Sequence, residues 1–202
     1  MTAPEPPQGS LVLLRHGETE WSRSGRHTGR TDMPLTVRGE QLAARTNELL
    51  RGRAFSLVLT SPLQRARRTA QLAGLADAEI DDNLMEWDYG GYEGLTTNEI
   101  RERVGHPWTV FDDGVIPGVT PGESIEEVAA RCRKVIDRAM PFLATGDVAF
   151  VGHGHCLRIL ATVFLRQELR FGSQILLDAG SVSVLGWERE VPVISSWNRT
   201  LQ

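Results

Sequence analysis

The segment SLVLLRHGETEW, Ser10 to Trp21, ends an apolar run in an Arg15-His16-Gly17 turn. A histidine beside an obligate cation is disfavoured in its charged form, so it tends to remain a neutral, nucleophilic imidazole. Glycine after it permits a sharp turn and a close ligand approach. A second apolar run, DVAFVG, leads into Gly152-His153-Gly154-His155. A third, FSLVLT, is followed by Ser61 and, one helical turn on, by Arg65. Each alone is explained by a strand end with a solvated Arg and an incidental His. Two His-Gly strand ends, with arginines from two elements beside them, make a shared site the better reading.

Two histidines with several arginines and no carboxylate cluster suit a phosphoryl group. Arg15 and Arg65 can fork onto phosphate oxygens and neutralise charge during transfer. One imidazole nitrogen can attack phosphorus in line, forming a phosphoramidate, while the other histidine donates to an equatorial oxygen. The leaving group then needs an acid, and Glu86 in LMEWDYGGYEGLT (84–96) is the carboxylate expected to supply it. The competing reading is a three-histidine zinc site from His16, His153 and His155. Ligands at i and i+2 of a helix start diverge, and adjacent arginines repel a cation, so neither metal nor cofactor is expected. Cys156 is a weaker nucleophile candidate, because it falls on a buried helix face. On the residues alone His27 and His106 have ordinary surface readings.

These residues need a scaffold that brings distant strand ends together. SLVLL (10–14), FSLVLT (55–60) and DVAFVG (147–152) read as buried strands, each followed by polar turn residues and a helical pattern. Helices are expected at about 36–50, from an N-cap at Ser61 with Pro62 in the first turn to Ala73, and at about 156–165. Another is expected after a capping box of Ser124 and Glu127, with Ile125, Val128, Ala129, Cys132, Val135, Ile136 and Ala139 on one face. Strands alternating with helices imply an α/β three-layer sandwich with a mostly parallel central sheet. VSVLGW (182–187) and VPVISSW (191–197) read as late strands, antiparallel at an edge. The stretch 105–124 reads as a long connection whose Trp and Phe content suits an ordered lid. In such sheets ligands bind beyond the carboxyl ends of the strands, where the Arg-His-Gly and Gly-His-Gly turns would lie.

At 202 residues and 41% hydrophobic, the chain suits one domain over 10–202 after a disordered tail, 1–9. The net charge of −4 gives no basic field for nucleic acid or an anionic membrane. No apolar run reaches the length of a membrane span, and the start lacks the regions of a signal peptide. Two cysteines, both within predicted helices, argue against a disulfide framework. A cytoplasmic protein is expected, acting on a small phosphorylated metabolite, with a homo-oligomer left open.

With these residues in hand, the sequence resembles the histidine phosphatase superfamily, whose fold is phosphoglycerate-mutase-like. LLRHGETEW matches its signature and GRHTGRTDMPLTVRGE continues the match; SPLQRARRTA, MEWDYGGYEG, PGES and VGHGHCLR follow in the family's order. The resemblance implies that His16 is the phosphorylated nucleophile, that Arg15, Arg65 and His153 form the phosphate pocket, and that Glu86 is the proton donor. It implies substrate contacts at Thr28, Gly29 and Arg158, with Ser22, His27, Tyr89 and Gly154 beside them. Phosphoglycerate mutases carry Asn where this chain has Ser22 and His155, and a longer insertion after the acid loop. Those departures favour a small phosphatase, of the branch containing sedoheptulose-1,7-bisphosphatase and bacterial acid phosphatases, over a mutase. A non-catalytic phospho-ligand binder would have lost His16 or Glu86. Arg23, Arg26, Arg30 and Arg158 are candidates for a second phosphate, or solvated surface charges.

Overall fold

In a computed structural model the described residues are 7–201. In chain order the elements are β1 (Leu11–Arg15), α1 (Glu20–Arg23), α2 (Val37–Leu50), β2 (Phe55–Thr60), α3 (Gln64–Leu72) and β3 (Glu79–Ile80). They continue with α4 (Thr97–Val104), α5 (Val110–Asp113), α6 (Ile125–Ala139), β4 (Asp147–Gly152), α7 (Gly154–Phe164), β5 (Val182–Glu188) and β6 (Val191–Arg199). The strands form one six-stranded sheet in the order β3-β2-β4-β1-β5-β6. Its first four strands run parallel, while β5 and β6 are antiparallel.

Alternation along β1 divides the core. Leu11 and Leu13 pack with residues of α6 and α7, whereas Val12 and Leu14 pack with residues of α2 and α3. Helices cover both faces, which is why the central strands read as continuous apolar runs. The expected α/β three-layer sandwich is the observed one. The Ser124–Glu127 capping box opens α6, and Thr36 caps α2.

Three expectations need correction. The helix after β2 starts at Gln64, with Leu63 as its N-cap; the Ser61 hydroxyl accepts from Leu63 N at 3.3 Å and from His153 Nε2 at 2.8 Å instead of capping a helix. Helix α4 was unforeseen, although Thr96 and Glu99 form a complete capping box. Of the tail expected to be disordered (1–9), residues 1–6 lie outside the described residues. Gly9, by contrast, is buried, and its N–H donates to Leu143 O at 2.9 Å. The 105–124 connection is ordered by burial of Trp108 and Phe111. Among the described residues, no helix is long and apolar enough to cross a membrane.

Candidate active site

Register brings the two His-Gly turns together. Arg15 at the end of β1 pairs with Gly152 at the end of β4, and the next residues are His16 and His153. Their ring centroids lie 5.1 Å apart. Backbone bonds continue past the strands: His16 N–H donates to Gly152 O at 2.9 Å and Ser61 N–H to Val151 O at 3.0 Å. Three strand ends therefore converge at one carboxyl edge. Gly17 serves a close backbone contact: a Cβ there would sit 2.2 Å from Gly39 O of α2.

Hydrogen bonds fix the histidine tautomers. His16 Nδ1 lies 2.7 Å from Gly17 O. A carbonyl only accepts, so Nδ1 carries the proton and Nε2 keeps its lone pair. Burial, then Arg65 and then Arg15, holds the His16 pKa well below the usual histidine value. The neutrality expected from the Arg-His pair is therefore present, with desolvation as its largest cause. His153 Nδ1 accepts from Arg65 Nε at 3.1 Å, which leaves its proton on Nε2, 2.8 Å from Ser61 Oγ. Both His153 nitrogens are thus engaged within the protein.

The two arginines differ. Arg65 is fully buried, and its Nη groups donate to the carbonyls of Thr28, Gly29 and Thr31. Arg15 donates through Nη1 to Leu177 O, while its buried Nε has no partner among the described residues. A buried donor left unmet costs about 1–3 kcal/mol, and more when charged, so an anion beside Arg15 would be favoured. Gly154 lies under this guanidinium, where a Cβ would be 3.3 Å from Arg15 Cζ.

Glu86 faces the same space. Its carboxylate accepts from Trp87 N at 2.9 Å, Cys156 N at 2.8 Å and His155 N at 3.1 Å. The first-turn amides of α7 thus point at Glu86. The PGES segment braces this loop: Glu123 O accepts from Trp87 Nε1, its carboxylate accepts from Asp88 N, and Arg131 pairs with it.

A cavity of about 250 Å³ is lined by Arg15, His16, Ser22, His27, Thr28, Glu86, Tyr89, Gly154 and Arg158. Of the residues expected at the site, Arg65, His153 and Gly29 stand behind this lining. Gly29 is held by Glu93, whose two carboxylate oxygens each lie 3.0 Å from its N–H. The Ser22 hydroxyl is spent on the capping box of α1. Arg158 lies 4.6 Å over the Phe111 ring and donates to Gly172 O. Of the other arginines considered for a second phosphate, Arg26 lines the cavity, Arg23 pairs with Glu20 at the surface and Arg30 pairs with Glu123. Sequence reasoning missed Thr97, Leu176 and Leu177 in the lining, and the bracing by Glu93 and Arg131. These carry no local motif and meet the site only through the fold. His155, weighed in sequence only as a metal ligand, lines the cavity with Nδ1 2.5 Å from Tyr89 Oη. Among the described residues, no three His, Cys, Asp or Glu side chains converge as a metal set.

Histidines withdrawn from solvent make stability depend on pH; His16 and His153 are buried and His155 is half-buried. Burial, as the first cause, holds His16, His153 and His155 well below the usual value. The unfolded chain therefore takes up protons below about pH 6.5 that the folded chain refuses. Stability from this source is complete above that value and falls as pH drops, by about 1.4 kcal/mol per pH unit for each such histidine. Urea melts from pH 7.5 to 5 should show this loss, and His155→Asn should make the fall shallower; an unchanged slope would show that His155 is not held neutral.

The family model of the histidine phosphatase superfamily (branch 1) matches residues 11–200. The chain belongs to that superfamily. It is 40% identical over 183 residues to an acid phosphatase of Mycobacterium tuberculosis, covering 90% of this chain and 88% of the relative. It is 35% identical over 179 residues to the sedoheptulose 1,7-bisphosphatase of Saccharomyces cerevisiae, covering 76% and 66%. The solved structure of a Mycobacterium tuberculosis open reading frame product superposes with a TM-score of 0.88 at 38% identity, covering 95% of this chain and 98% of that one. The chain is accordingly a phosphoric monoester hydrolase of the histidine phosphatase type.

Proposed function

We propose that this enzyme hydrolyses small phosphomonoesters, sugar phosphates among them, through a phosphohistidine on His16. The observation that carries the reading is the neutral His16 imidazole, with Nε2 unprotonated, next to the unpartnered buried Nε of Arg15 and across one cavity from Glu86. Phosphate oxygens would satisfy Arg15, with Arg65 supplying positive charge from behind and the neutral His153 holding Arg65 in place. His16 Nε2 forms a bond to phosphorus as the ester P–O bond breaks, and Glu86 gives its proton to the departing oxygen. The three amides around Glu86 then receive the carboxylate that remains. Water attacks the phosphohistidine, Glu86 takes its proton back, and inorganic phosphate leaves.

Hydrolysis is favoured over a mutase because Ser22 and His155, where mutases carry Asn, are committed to the α1 cap and to Tyr89. With two cysteines in 202 residues the chain lacks the cysteine density of disulfide-built secreted domains, which suits a cytoplasmic location. Charge neutralisation comes from arginines, so turnover needs no metal. Release of inorganic phosphate from p-nitrophenyl phosphate should survive exhaustive EDTA treatment. Loss on chelation, restored by zinc or magnesium, would overturn the metal-free mechanism.

A further inference from the structure

The cavity also holds two imidazoles that the phosphoryl chemistry does not use. His27 and His155 both line the cavity, with ring centroids 6.1 Å apart and planes inclined by only 14°. Each has its Nδ1 locked by a different partner. His27 Nδ1 lies 2.8 Å from Leu95 O, so it carries the proton and Nε2 is a bare acceptor. His155 Nδ1 lies 2.5 Å from Tyr89 Oη, and the hydroxyl has no other partner among the described residues. Burial raises the Tyr89 pKa well above the usual value, so the phenol keeps its proton, and with no other acceptor beside it among the described residues that proton goes to His155 Nδ1. His155 Nδ1 is then the acceptor, and its Nε2 carries the hydrogen. Neither Nε2 has a partner among the described residues. Both rings are also held neutral by burial.

One donor and one acceptor, both uncharged, match a hydroxyl group, which offers one hydrogen and two lone pairs. We propose that His27 and His155 read a hydroxyl on the alcohol part of the substrate, with His155 Nε2–H donating to it and His27 Nε2 accepting from it. The preferred leaving group is then a polyol or sugar rather than a plain alkyl alcohol. Tyr89 is the positioning residue that sets the His155 tautomer. Trp108, 5.4 Å from His27, and Phe111, 5.2 Å from His155, hold the rings edge-on from behind. This selectivity rests on the phosphatase reading and names the substrate class of that same site.

A site that hydrogen-bonds a substrate hydroxyl penalises the analogue lacking it, because its own polar groups are left unmet. The test compares kcat/KM for sorbitol 6-phosphate with that for n-hexyl phosphate, two six-carbon esters that both need an acid for departure. The intact enzyme should prefer the polyol by about 10-fold or more. His27→Leu and His155→Leu should bring the ratio toward one. His27→Gln, which offers an amide oxygen in the same region, should keep much of it. Tyr89→Phe, which removes only the tautomer lock, should also lower the ratio. Equal turnover of the two esters by the intact enzyme would overturn the proposal, as would variants that slow both by one factor. In either case release of phosphate from p-nitrophenyl phosphate leaves the phosphatase reading standing. Failure to hydrolyse any of the three esters would overturn that reading, and this one with it.

Discussion

His16→Ala lowers turnover of every phosphate ester by about five orders of magnitude or more, the expected scale for losing a covalent nucleophile. Among the described residues the side chain makes one hydrogen bond, to Gly17 O, so its removal leaves the strand ends and the Arg65–His153–Ser61 chain in place. Circular dichroism should therefore be unaltered while activity is lost. Rapid quenching of the intact enzyme should trap an acid-labile phosphate that maps to His16 and is missing from the variant. Alternative nucleophiles are poorly placed. His153 has both nitrogens engaged, and Cys156 is fully buried against Cys132 and Arg131. Retention of appreciable activity by His16→Ala would remove the covalent mechanism.

Glu86→Gln separates substrates by leaving group. An alkoxide needs a proton to depart, whereas a p-nitrophenolate leaves nearly unaided, so alkyl phosphates should lose about 10²–10⁴-fold and aryl phosphates far less. Asp88 gives no substitute: its Oδ1 accepts from Gly90 N and Thr120 Oγ1, and it does not line the cavity. The pH profile sharpens the test. His16 must be neutral to attack, and its lowered pKa keeps it so below the ordinary histidine range. The acid limb of the rate profile should therefore lie below the ordinary histidine range, for alkyl and aryl phosphates alike. Equal losses for alkyl and aryl esters would make Glu86 a positioning residue.

Much of this was legible because strand ends announce themselves. The runs at 55–60 and 147–152 coincide with β2 and β4, and the His-Gly turns after β1 and β4 meet because those strands pair in register. Local rules failed where a tertiary bond outbid them. Ser61-Pro62 looks like a helix start, yet the Ser61 hydroxyl faces His153, and the helix waits until Gln64. Helix α4 carried its capping box in plain view, but its surroundings in an irregular, glycine-rich stretch concealed it. The engagement of Arg65 by three carbonyls of the 28–31 loop had no signal in composition or spacing. Which nitrogen of each histidine carries the proton likewise depends on carbonyls and hydroxyls that only folding brings near.

The parallel pairing of β1 with β4 also governs when the enzyme comes into being. Ser10, just before β1, bonds Asp147 across 137 residues of sequence, and the Arg65–His153 contact spans 88. A growing chain therefore releases His16 well before β4, and must hold the β1 edge open until β4 has emerged. Such long loop closures come late and slowly in folding. No nascent or truncated form ending before β4 can assemble the pocket, so a premature, unregulated phosphatase is excluded by topology. Phosphate release thus reports the completed sheet rather than the presence of helices.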